Sequence, residues 1–118
     1  MNLGQGIETR EIAAERVDRL AEWLEISIGP RLTAFASGIS VGDLHRIVHR
    51  DDRPAPEIER RLRNLFAVAS LLAARDGAGF AHSWLTEPNP GLDNRTPASL
   101  LHEGEAPESV WFAAAPTF

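Results

Sequence analysis

Residues 29 to 50 read Gly29-Pro30-Arg31-Leu32-Thr33-Ala34-Phe35-Ala36-Ser37-Gly38-Ile39-Ser40-Val41-Gly42-Asp43-Leu44-His45-Arg46-Ile47-Val48-His49-Arg50, and this stretch decides the fold. Proline at the first position of a helix loses nothing, because its missing N–H would have been unpaired there. Gly29-Pro30 therefore ends one helix and opens a short second one that runs to about Ser37. Gly38 supplies a turn, since glycine takes a left-handed conformation at little cost. Ser40, with Asp43 three residues later, is a capping signal that opens a third helix through about Arg50. Its apolar face is Val41, Leu44, Ile47 and Val48.

Two short helices set steeply around a tight turn form a helix-turn-helix, in which the first helix braces the second for entry into the major groove. That geometry asks for a small residue at the crossing, a glycine in the turn and apolar residues on the inner side of the second helix. Ala34, Gly38, Ile39, Leu44 and Ile47 stand at those places. On this reading Ser40, Gly42, His45, Arg46 and His49 face the groove and Arg50 lies near the backbone. Arg46 is the expected base reader, because a guanidinium can bond a guanine edge at two points. Arg53, Arg60, Arg61 and Arg63 are expected to meet phosphates, which attract arginine without regard to sequence.

Outward from this stretch the pattern stays helical. Ala13, Val17, Leu20 and Leu24 recur at helical spacing, which predicts a first helix from Thr9 to about Ile28. Asp51 to Pro56 is a loop by its turn-forming residues, and Pro56 can open a fourth helix carrying Ile58, Leu62, Leu65, Ala69 and Leu72. From Phe66 to Ala74 that helix is almost wholly apolar, so burial on every side is expected, partly in the core and partly against a second copy. Gly77 ends it. A short helix from Phe80 to Leu85, the turn cluster Pro88-Asn89-Pro90-Gly91, and a further short helix from Thr96-Pro97 to Gly104 complete the reading. The expected fold class is all-α, with a helix-turn-helix domain over residues 1 to 76 and a small helical region over 77 to 118.

Composition is consistent with this and narrows the function. The chain has 118 residues, 43% of them hydrophobic and 25% charged, the proportions of one globular domain. With no cysteine there is no disulfide framework, thiolate nucleophile or zinc finger. The net charge of −5 argues against nucleic acid on average, yet all twelve basic residues are arginine and six fall between positions 46 and 63. DNA contact is thus expected only in the middle of the chain. No signal-peptide pattern and no run of membrane-spanning length is present, so a cytoplasmic protein with no membrane partner is expected.

Catalysis is not expected. His45 and His49 have metal-ligand spacing, but no third ligand follows at a known interval. His82, His102, the serines and the carboxylates belong to no nucleophile or acid–base motif. Gly4-Gln5-Gly6 lacks the strand and third glycine of a phosphate loop. No cofactor or metal is expected, and the protein reads as a binding module rather than an enzyme.

The last third is more specific. Trp84-Leu85, Pro88-Asn89, Leu92-Asp93, Thr96-Pro97, Leu100-Leu101 and Gly104, after a helix-turn-helix and an apolar helix, resemble the toxin-binding domain of the Xre/MbcA/ParS antitoxin family. The resemblance implies an antitoxin of a type II toxin–antitoxin system. Such a protein binds and inhibits a RES-domain toxin that degrades NAD, covers its active-site cleft, and represses its own operon by binding operator DNA. It also implies a homodimer that assembles with toxin into a larger hetero-oligomer. The residues expected at the toxin are Trp84, Asn89, Leu101, Glu103, Glu105, Val110, Trp111, Phe112 and Phe118. The last four count because so many large apolar side chains at one terminus are hard to accommodate in so small a core. The acidic residues count because carboxylates can pair with arginines of a cleft built for phosphates. The alternative is a stand-alone helix-turn-helix transcriptional regulator whose C-terminal third serves dimerisation.

Overall fold

A computed structural model describes residues 16–114. Among these residues there are seven α-helices and no strand, as expected for an all-α chain. The elements are α1 (Val17–Ile28), α2 (Pro30–Ser37), α3 (Val41–Val48), α4 (Pro56–Asp76), α5 (Ala78–Thr86), a 3-10 turn at Pro90–Leu92, α6 (Pro97–His102) and α7 (Pro107–Ala114). The expected start of the first helix near Thr9 lies outside the described residues. None of these helices is long and apolar enough to cross a membrane.

The link between α2 and α3 follows the local chemistry. Gly38 takes φ +78° and its N–H bonds the carbonyls of Ala34 and Phe35, closing the end of α2. The Ser40 hydroxyl accepts the Asp43 N–H at 3.0 Å, filling one of the unpaired donors at the start of α3. Thr33 and Ser37 are fully buried in α2. Thr33 returns its hydroxyl to the Gly29 carbonyl at 2.8 Å, which makes its burial tolerable. Ser37 Oγ has no such partner among the described residues.

The centre of the molecule is α4. It packs against α1, α2, α5, α6 and α7, and Leu62, Leu65, Val68, Ala69 and Leu72 are buried along its inner side. Trp23 of α1 meets Phe66 of α4 edge to face, with ring centroids 5.3 Å apart. One hydrophobic cluster runs from Leu20 to Ala114 through all seven helices. Among the described residues the outer side of α4 is not closed. Leu71 is 48% exposed, and Ala67 is half-buried and Ala74 exposed beside it.

The end of the chain departs from the expected tail. Residues 107–114 form α7, with Pro107 at its first position and Ala113 and Ala114 in its last turn. Val110 and Ala114 are buried, and Trp111 packs against the core with its ring 6.0 Å from that of Trp84. A helix can turn one face inward while an extended tail cannot, so two of the four large terminal side chains do find room. Phe112 remains 73% exposed, and Phe118 lies outside the described residues. The seat for α7 is Gly91, where a Cβ would stand 2.3 Å from the Ala113 carbonyl oxygen, so only glycine fits.

Candidate functional site

Two surfaces carry the residues singled out in the sequence. The first is the outer side of α3. Ser40, Gly42, His45, Arg46, His49 and Arg50 are all exposed there, because Leu44 and Ile47 turn the opposite side into the core. The imidazoles of His45 and His49 lie with centroids 4.1 Å apart. Among the described residues no group of three or more His, Cys, Asp or Glu could hold a metal ion.

Arg46 occupies the middle of this surface. Its Nε donates to Asp52 at 2.9 Å, and its Nη2 donates to Asp43. Asp52 and Asp43 thereby hold the guanidinium even further above its ordinary range. The loop bringing Asp52 there is folded back by Arg50, which takes a left-handed φ of 65°. The N–H groups of Asp51 and Asp52 then both bond the Arg46 carbonyl, at 2.8 and 3.3 Å. Arg50 itself lies 3.6 Å from Asp18, whose carboxyl is held below its usual value by Arg16 first and by Arg50 as well. A cavity of 610 Å³ opens beside this loop between Val17, Ile47, Arg53 and Arg63.

The arginines of α4 are placed otherwise than the phosphate reading expects. Arg61 donates from Nε to the His102 carbonyl at 3.0 Å and pairs with Glu57 at 2.6 Å, with only 18% of its side chain exposed. Arg60 donates to the Gly104 carbonyl at 3.2 Å and pairs with Glu57 at 2.7 Å. Arg63 pairs with Glu59 at 2.8 Å. Carbonyls at the end of a helix lack partners in their own turn, and guanidinium groups suit them in both charge and donor count. Arg60 and Arg61 therefore fasten the end of α6 to α4. The same end is held to α2, where His102 Nδ1 donates to the Phe35 carbonyl at 2.6 Å and the two rings stack 4.6 Å apart.

The second surface runs from α5 to α7. Of the nine residues expected at a toxin, Trp84, Asn89, Leu101 and Val110 are buried, at 9%, 6%, 0% and 1% exposure. They shape this region from beneath. Asn89 shows how: its side-chain oxygen accepts the Gly91 N–H at 2.9 Å, its own N–H donates to the Arg95 carbonyl, and its carbonyl accepts from Leu92 and Asn94. One buried amide thus sets the turn before α6, which Thr96 opens by accepting the Ser99 N–H at 3.1 Å. Glu103, Glu105 and Phe112 are exposed, and Trp111 is half-buried. Glu103 pairs with Arg95, whose hydrogen bond holds the carboxyl below its usual value. Phe80, 39% exposed, adds a further apolar side chain on α5, the helix that carries Trp84. Phe80 is not among the residues singled out in the sequence, where it only opens the short helix that carries Trp84.

No curated protein and no solved structure matches the chain. A family model does match: residues 63–107 fit the antitoxin Xre/MbcA/ParS C-terminal toxin-binding domain. The matched segment begins within α4 and ends at the first residue of α7, and so contains the Asn89 turn, α6 and the Gly104 carbonyl bonded by Arg60. Over this segment the chain is similar to the toxin-binding domain of the Xre/MbcA/ParS antitoxin family.

Proposed function

We propose that the protein is the antitoxin of a type II toxin–antitoxin system, inhibiting a RES-domain, NAD-degrading toxin with its α5–α7 surface and repressing its own operon through α3. The toxin-binding domain over residues 63–107 carries this reading. Residues up to 76 serve DNA and self-association, and residues 77–118 serve the toxin. The exposed aromatic side chains of α5 and α7 beside Glu103, Glu105 and Glu108 suit a cleft that is apolar at its floor and basic at its phosphate-binding rim. The antitoxin covers that cleft in the cytoplasm and performs no chemistry of its own.

Phe112 is the residue to test, because it is exposed while Val110 and Ala114 on the same helix hold the core. Removing residues 106 to 118 would strip that core as well. Phe112→Ala is expected to fold normally, to cost about 2 kcal/mol in affinity for the product of the adjacent gene, and to weaken protection in cells. Unchanged affinity and protection would move the inhibitory surface elsewhere. A protein that binds DNA yet neutralises no neighbouring gene product would instead be the stand-alone regulator.

Self-association belongs to the same proposal. A helix-turn-helix reads two half-sites as a symmetric pair, and the open side of α4 at Ala67, Leu71 and Ala74 is the surface offered to a second copy. Sedimentation should show a dimer that Leu71→Asp converts to monomer. A wild-type monomer at tens of micromolar, a concentration at which an interface of standard size normally forms, would count against it.

A further inference from the structure

The geometry points to Asp52, with Asp43, as a positioning residue that holds Arg46 for reading guanine, an inference that rests on the reading of α3 as the DNA-contacting helix. A lone arginine on an exposed helix samples many rotamers, and each must be given up when it binds. Arg46 is already fixed. Two carboxylates from separate segments, one in the first turn of α3 and one in the loop after it, converge on the same guanidinium. The fixing is more than a chance surface pair, because the loop is itself held on the Arg46 main chain through the N–H groups of Asp51 and Asp52 and the left-handed turn at Arg50.

The carboxylates occupy Nε and one hydrogen of Nη2. Nη1 and one Nη2 hydrogen keep no partner among the described residues. Nη1 lies 3.9 Å from where a Cβ of Gly42 would stand, so the side chain runs back along α3 toward its N-terminal turn. That is the part of a recognition helix that meets base edges. Two donors side by side match a base presenting two acceptors in the major groove, and guanine alone does so, through N7 and O6. The arrangement has a counterweight: two carboxylates on a DNA-facing surface repel phosphates and weaken sequence-independent binding. Asp52 therefore raises discrimination while lowering general affinity.

The test uses the full chain. Wild-type protein is first used to select duplexes from a random-sequence library, and affinities for the selected duplex and for a scrambled duplex of equal length and composition are then compared. Arg46→Ala should abolish the preference. Asp52→Asn should cut the ratio of selected to scrambled affinity by about tenfold while strengthening scrambled binding several-fold, and Asp52→Glu should restore most of the ratio. Circular dichroism should show the same melting curve for all three variants. If the library yields no preferred sequence, the reading of α3 fails and the inference falls with it. If Arg46→Ala loses the preference but Asp52→Asn keeps it, or gains equally on both duplexes, α3 reads DNA without help from Asp52 and only this inference is overturned.

Discussion

Two regions of the molecule use arginine in opposite ways. Around α3, Arg46 bonds carboxylates three and six residues away in sequence, on an exposed surface. Between α4 and α6, Arg60 and Arg61 bond main-chain carbonyls 44 and 41 residues away. The first arrangement is local and orients a side chain. The second crosses the fold and joins helices. The difference matters because an exposed pair gives little stability in water, whereas a partly buried guanidinium that satisfies a helix-end carbonyl is missed when it is removed. The same contrast extends to the loops. Gly38 and Ser40 shape the turn before α3 with bonds to near neighbours, while the place of α7 depends on Gly91 meeting a carbonyl in another part of the chain.

The contrast can be broken most sharply at Gly91. Gly91→Ala places a methyl group against the Ala113 carbonyl and should destabilise the protein by about 1–3 kcal/mol, as overpacking does. Faster hydrogen exchange confined to α7 would show the helix lifting from its seat. An unchanged denaturation midpoint with α7 fully protected would mean that the seat gives way at no cost, and the long-range character of this region would be overstated.

A smaller effect sharpens the comparison between the arginines. Arg61→Ala should lower stability by about 1–2 kcal/mol, because the His102 carbonyl and Glu57 both lose a partner. Arg46→Ala should leave the thermal transition where it is, since its partners are exposed and water replaces it. Denaturant titration of the two variants side by side decides the matter. Equal losses, or a larger loss for Arg46, would contradict the division into an orienting and a joining arginine.

Much of the fold was legible in the chain before any coordinates. The breaks at Gly29-Pro30, Gly38, Pro56, Gly77 and Thr96-Pro97 all fall at helix ends, because capping and turn chemistry act between neighbours and so are written in short stretches. Most of the exposed side of α3 was legible for the same reason, as Leu44 and Ile47 assign the inner side, although Val41, expected on that side as well, is 44% exposed. Likewise the motif from Trp84 to Gly104 was readable, although several of its residues proved to shape the surface from within.

What local pattern could not determine was which partners the members of a group of like residues take. Arg46, Arg60 and Arg61 are equivalent as charges in sequence, and only the packing of α6 against α4 turns the latter two toward the His102 and Gly104 carbonyls. The fate of the terminus was likewise a tertiary matter. Val110, Trp111 and Phe112 are adjacent and all apolar, so composition alone assigned them to one surface. A helix spaces neighbours by about 100°, and the placement of α7 over Gly91 decided that Val110 enters the core while Phe112 remains in solvent. The sequence by itself determined helices, caps and turns, which arise from neighbouring residues. The tertiary structure decided burial and partner choice, which depend on contacts between segments far apart in the chain.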